Sequence, residues 1–208
     1  WMVVFQLYED FEGKEGLFNA LIEEFPVIET LLFAINPKPN DSIYDLDPIA
    51  CFGQGYILEK REGYTFIISP KSFFQTNTKQ AEKLYSVTRD FAELNGTQTV
   101  YDLYCGTGSI GIFVSDKAKK IIGVETVPEA IEDAKKNAAL NNIQHTSFFA
   151  GDVIKICDDQ FFAENGKPDV VITDPPRAGM HEKLVQKLLE VEAPLIVYVS
   201  CNPSTQAR

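Results

Sequence analysis

No two cysteines stand at C-x-x-C spacing: Cys51, Cys105, Cys157 and Cys201 are 54, 52 and 44 residues apart. That spacing excludes a cysteine-rich metal site, offers no disulfide framework, and points to a reducing, cytoplasmic setting. Histidine is scarce as well, and His145 and His181 have no histidine or cysteine at ligand spacing, so no metal is expected. The acid-rich NDSIYDLD, residues 40–47, lacks the ordered ligand pattern of a calcium loop and reads as a solvated turn. Long apolar runs are missing: LIVYV, residues 195–199, is far too short to span a bilayer, and no basic-then-apolar leader opens the chain. Positive charge is in deficit, with 19 Lys and Arg against 30 Asp and Glu and a net charge of −11. Such a surface does not grip phosphates over its whole extent; a nucleic-acid ligand would need a local basic patch or a basic domain outside this chain. Internal repeats and low-complexity tracts are absent too.

What is present is a chain of 208 residues, 45% hydrophobic and 24% charged, the balance of an ordinary soluble globular protein. It opens on strand-like Trp1-Met2-Val3-Val4, which suggests that the protein starts upstream. Residues 1–74 read as a small α+β subdomain. MVVFQLYE is strand-like, and GKEGLFNALIEEFP has Leu17, Ala20, Leu21 and Phe25 at helical spacing before Pro26. TLLFAIN reads as a strand, and GYILEKREGYTFIISP as a hairpin around a charged turn containing Gly63. Residues 75–208 differ in texture. KQAEKLYSVTRDFAEL is an amphipathic helix that Asn95-Gly96 should close, and short apolar strands then alternate with helical stretches. That alternation predicts βαβ units and a parallel, Rossmann-like α/β sheet, which binds ligands beyond the carboxyl ends of its strands.

The residues that end each apolar run are therefore the candidates. The first strand runs into YDLYCGTGSIG, where Gly106, Gly108 and Gly111 fit a G-x-G-x-x-G turn that lets a ligand approach the backbone. The second ends at Glu125, 19 residues after Gly106, where a ribose-binding acid belongs. A dinucleotide and S-adenosylmethionine both satisfy that pair. Asp102 lies four residues before the first glycine, and Asp152 ends the third strand, each equally readable as a helix cap or loop acid. The fourth strand ends in Asp174-Pro175-Pro176-Arg177, a rigid loop with a fixed cation. The fifth runs into Ser200-Cys201-Asn202-Pro203. If sequential strands are neighbours, Asp174 and Cys201 stand on adjacent strand ends, roughly 5 Å apart at the backbone.

SFFQTN, DLYCGTGSIG, DPPRAG and VSCNPST, in this order and spacing, resemble the RNA uridine-5-methyltransferase family, with Cys201 falling 27 residues after Asp174 as the discriminating feature. The resemblance implies a class I methyltransferase fold, S-adenosylmethionine as cofactor, and rRNA or tRNA as partner. It implies Cys201 as the nucleophile that adds to uracil carbon 6, with Gln75, Tyr104, Gly106, Glu125 and Asp174 at the cofactor, joined by Asp152 at the adenine. Phe73 and Asn77 would hold the uracil, Phe73 by stacking, and Arg177 would supply positive potential to a thiol whose ordinary pKa is near ~8.5. Of Phe73 and Phe74, at least one is expected to be packing only, as are Cys51, Cys105 and Cys157. The family's glutamate base lies downstream of its cysteine, whereas this chain ends seven residues beyond Cys201. The family's last strands, its N-terminal RNA-binding barrel and the iron–sulfur cluster of some members are likewise outside it, so the chain alone is not expected to turn over. Three other classes share parts of the pattern. An amino-group methyltransferase has no need of Cys201, a nicotinamide oxidoreductase leaves DPPR and SCNP unused, and a non-catalytic RNA-binding relative finds no support in the net charge.

Overall fold

A computed structural model describes residues 1–40, 42–43 and 45–207. Asp41 and Tyr44 of the acid-rich stretch lie outside these, as does Arg208. The chain divides into two compact units, Trp1–Glu59 with Ile67–Ser72, and Lys60–Phe66 with Phe73–Arg208.

In the first unit, β1 (Met2–Leu7) and β2 (Thr30–Ile35) pair in parallel through the helix α1 (Lys14–Glu24), and β3 (Ile49–Phe52) pairs antiparallel to β2. The helix turns Phe18, Leu21 and Ile22 inward onto Phe5 and Phe33, while Leu17 and Phe25, expected on the apolar stripe, are exposed. Phe18 decides the rotation: its ring lies 5.3 Å from Phe5 and 5.9 Å from Phe33, and residues three and four further on share its face. β3 has no sequence signature because all four of its residues are exposed, which erases the alternation that marks a half-buried strand.

The expected hairpin is β4 (Ile57–Arg61) and β5 (Tyr64–Ile68), with Glu62 and Gly63 both at positive φ, as a tight two-residue turn requires. The charged turn is not uniformly solvated, for Arg61 is wholly buried.

In the second unit, α2 (Thr78–Phe91) precedes five strands: β6 (Thr99–Leu103), β7 (Lys120–Glu125), β8 (Thr146–Ala150), β9 (Val170–Thr173) and β10 (Leu195–Tyr198). All pair in parallel, in the order β10-β9-β6-β7-β8. Between them run α3 (Ser109–Phe113), α4 (Pro128–Leu140), α5 (Val153–Ile156), α6 (Asp159–Asn165) and α7 (Glu182–Val191); α8 (Pro203–Gln206) follows β10. Alternate residues of each strand feed different layers: Tyr101, Leu103, Ile122 and Val171 pack with Phe161 and Leu184, while Val100, Ile121 and Ile172 pack with Phe113 and Tyr85. This is the α/β, Rossmann-like sheet that the alternation predicted.

Two boundaries differ from expectation. α2 ends at Phe91 rather than at Asn95-Gly96, because Glu93 takes positive φ and reverses the chain first. β10 ends at Tyr198, so Cys201 sits three residues beyond the strand, in a bend where Ser200 Oγ accepts from Asn202 N at 3.0 Å. No helix among the described residues is long and apolar enough to cross a membrane.

Candidate active site

Chain order reverses at β6, since β7 and β8 lie to one side of it and β9 and β10 to the other. Such a reversal opens a crevice beyond the strand ends, and the glycine turn leaves β6 at that point. Its three glycines do different jobs. A Cβ at Gly108 would meet the Phe148 ring at 3.0 Å and Ala134 at 3.1 Å, and one at Gly111 would meet Ile121 at 2.9 Å and the Asp102 carboxylate at 3.0 Å. Gly108 thus permits close approach to α4 and β8, and Gly111 close packing of α3 on β6 and β7. A Cβ at Gly106 would meet nothing within 4 Å, so there the backbone faces open space. Tyr104, also at positive φ, turns the chain into this loop and packs against the Leu103 and Val153 layer, whereas Cys105 packs beside Phe148 in another.

The strand-end acids surround the turn. Glu125 Oε2 accepts from Gly106 N at 3.1 Å, and Oε1 from Val127 N at 3.0 Å. Asp102 is buried; its Oδ2 accepts from Gly111 N at 2.8 Å, while Oδ1 has no hydrogen-bond partner among the described residues. Burial pushes the Asp102 carboxyl up to about 7, opposed by the Gly111 hydrogen bond and assisted by the charges of Asp174 and Glu125. Desolvation likewise raises Asp174 to about 6. Asp152 Oδ1 accepts from Ile154 N at 3.0 Å, capping α5, and its charge helps burial to raise the Tyr104 phenol.

A single cleft brings together Phe73, Gln75, Tyr104, Gly106 and Asp174 of the residues expected from sequence. Phe73 is 72% exposed there, whereas Phe74 packs on Phe66 with ring centroids 5.9 Å apart, so the two adjacent aromatics divide into a free ring and a packed one. The remaining candidates do not line this cleft. Asn77 is exposed and caps α2 by accepting from Gln80 N at 3.2 Å. Arg177 and Cys201 are exposed on the loops after β9 and β10. Those loops are joined: Val199 N donates to Thr173 O at 2.8 Å, and Asn202 Nδ2 donates to Arg177 O at 3.5 Å. One cleft residue has no signal in the sequence. Tyr85, whose hydroxyl shares a 2.9 Å hydrogen bond with Ser109 Oγ, occupies an apolar position of α2 and looks like any core aromatic. A roomier groove of about 630 Å³ between α4 and β8 holds none of these acids.

A parallel sheet with a chain-order reversal, an open glycine turn and acids on successive strand ends defines a Rossmann-like domain of the class I methyltransferase type. Over residues 54–208 the chain matches the model of the tRNA (Uracil-5-)-methyltransferase family, and it belongs to that family. A protein of Porphyromonas gingivalis described as an uncharacterized RNA methyltransferase is 51% identical over 207 residues, covering 100% of this chain and 44% of that protein. One of the same description from Bacteroides thetaiotaomicron is 49% identical over 209 residues, covering 100% of this chain and 46% of the relative. Among solved structures, the Pyrococcus abyssi tRNA (uracil-54, C5)-methyltransferase in complex with S-adenosyl-L-homocysteine superposes with a TM-score of 0.80 at 30% identity, covering 100% of this chain and 48% of that one. The chain thus spans less than half the length of these relatives.

Proposed function

We propose that the chain is the catalytic part of an S-adenosylmethionine-dependent RNA methyltransferase that methylates carbon 5 of a uridine in tRNA or rRNA. One observation carries this reading. The loop bearing Cys201 is tied to the loop bearing Arg177, and the latter begins at Asp174, which lines the cleft at the open glycine turn. A thiol therefore stands in the loop after β10, tied to the loop after β9 that lines the cleft.

The site fits the cofactor. The space beside Gly106 accepts a ligand against the backbone, and Glu125 offers carboxylate oxygens at the same turn for ribose hydroxyls. The unpartnered Asp102 Oδ1 is a buried acceptor that an ammonium group would satisfy. Asp152 caps α5 through Oδ1, and its other oxygen would accept from the adenine amino group. When bound, S-adenosylmethionine supplies an electrophilic methyl group. The chain's own contribution is to make carbon 5 a nucleophile. The Cys201 thiolate forms a bond to carbon 6, and the electron pair of the carbon 5–carbon 6 double bond moves to carbon 5 and into the carbonyl at carbon 4. Carbon 5 takes the methyl group, a base removes its proton, and that electron pair re-forms the double bond as sulfur leaves. Arg177, whose backbone carbonyl accepts from Asn202 Nδ2, would supply positive charge to the thiol, and Phe73 would offer its exposed ring as a platform for the base.

The test uses full-length protein, S-adenosylmethionine and a short RNA containing 5-fluorouridine. Fluorine does not leave as a proton does, so intact mass spectrometry should find a denaturant-stable protein–RNA adduct, absent in Cys201→Ala. No adduct, with cofactor and RNA binding both intact, would sink the reading and favour an amino-group methyltransferase.

Two variants probe the cleft further. Gly106→Leu fills the open space, so S-adenosylhomocysteine binding measured by calorimetry should weaken more than tenfold. The positive φ alone costs about 1–2 kcal/mol of stability. Phe73→Ala removes an exposed ring, so the unfolding free energy should stay within about 0.5 kcal/mol of wild type. Affinity for RNA should nevertheless fall about tenfold or more, the loss of one base–aromatic stack.

A further inference from the structure

Arg61, the last residue of β4, is a cation with no exposed surface. No salt bridge among the described residues involves it, and its Nε and Nη1 have no hydrogen-bond partner there. Burying a guanidinium without a counter-charge is costly, and a Leu or Met would fill the same space without that cost. What only a guanidinium provides is flat faces and a directed donor together. Its carbon lies 3.8 Å from the Phe74 ring centroid and 5.3 Å from that of Tyr85, and Nη2 donates to the Gln75 backbone carbonyl. Tyr85 continues the chain of contacts to Ser109, the first residue of α3 after the glycine turn.

We propose that Arg61 is a positioning residue that clamps segment 73–75 onto α2 and, through Tyr85, onto the glycine turn. The clamp fixes Gln75 at the cleft and leaves Phe73 projecting from the next position but one. Phe74 is thus the anchor of the SFFQTN motif, held by cation–π contact, while its two neighbours face the ligand. The ligand assignment rests on the function proposed above; the clamp itself does not.

The experiment compares full-length wild type with Arg61→Lys and Arg61→Met by amide hydrogen exchange, thermal unfolding and calorimetric binding of S-adenosylhomocysteine. Lysine keeps the charge but loses both the flat stack and the directed fork. Arg61→Lys should speed exchange at residues 73–77 at least tenfold, leave β6 and β9 protected as in wild type, and weaken S-adenosylhomocysteine about tenfold. Wild-type exchange at 73–77 in Arg61→Lys overturns the proposal, as does faster exchange spread evenly over the whole unit, which marks a merely structural role. If the Arg61 variants do not fold, Phe74→Leu takes their place with the same two readings. If wild type binds no S-adenosylhomocysteine, the proposed function fails, and exchange at 73–77 alone decides on the clamp.

Discussion

Cys201→Ala is expected to abolish methyl transfer, lowering kcat/KM by a factor on the order of 10⁴ or more, because no neighbouring group can replace a covalent nucleophile. The same variant should bind S-adenosylhomocysteine within about twofold of wild type. Cys201 is exposed, lies three residues past β10, and does not line the cleft of Gly106 and Asp174. Stability should not move either, since an exposed thiol contributes little packing. Cys105→Ala is the matched control. That thiol is buried beside Phe148, and burial, with the charges of Asp102 and Glu125, holds it well above its ordinary range, so it is not a thiolate at neutral pH. Its loss should cost about 1 kcal/mol of stability and leave turnover within severalfold. Single-turnover methylation of a uridine-containing RNA, with thermal unfolding and calorimetry in parallel, separates the two. An inactive Cys105→Ala beside an active Cys201→Ala would move the nucleophile to the glycine turn and overturn the proposed mechanism.

The parallel sheet was legible because its strands are short apolar runs that each end on a chemically distinctive residue; of the acids at those ends, Glu125 and Asp102 accept from the glycine turn and Asp174 lines the cleft beside it, while Asp152 caps α5. Where burial pattern and sequence pattern part company, the reading misses. β3 is fully exposed and so shows no alternation, and the single turn α5 is too short to carry a helical period. α1 turns on one aromatic, Phe18, whose partners come from strands that the sequence does not show side by side. The site divides the same way. Phe73 and Phe74 are identical neighbours in sequence, and it is the Arg61 guanidinium and the Phe66 ring against Phe74 that tell packing from presentation. That guanidinium was itself hidden, for Arg61 stands in a run of charged residues at a hairpin turn, where solvation is the ordinary expectation.

S-adenosylhomocysteine is expected to bind about tenfold more tightly near pH 7.5 than near pH 6, with one proton released on binding below about pH 7. The cause is the pair of raised carboxyls, Asp102 at about 7 and Asp174 at about 6. Their folded pKa values lie above the ordinary 3.8, so each is held protonated by the fold, and the stability this contributes is fully present below that ordinary value. It is lost as pH rises through the folded values, so the ligand-free protein should unfold more readily near pH 7.5 than near pH 5 as far as these groups decide. Under the proposed function, a ligand ammonium at Asp102 Oδ1 would reverse the preference, because the charge that burial penalises would then gain a partner. Affinity should climb as the carboxylates ionise and level off above about pH 7.5. Asp102→Asn keeps the shape and an acceptor for Gly111 N while removing the titration. It should flatten the profile, weaken binding near pH 7.5 by about tenfold or more, and raise the ligand-free stability at that pH. 5′-Methylthioadenosine, which lacks the amino-acid end, should bind with little pH dependence to both proteins. Calorimetry in two buffers of different ionisation enthalpy counts the protons directly. A flat profile in wild type, unchanged by Asp102→Asn, would detach Asp102 from the ligand and leave its burial beneath Gly111 as a matter of packing alone.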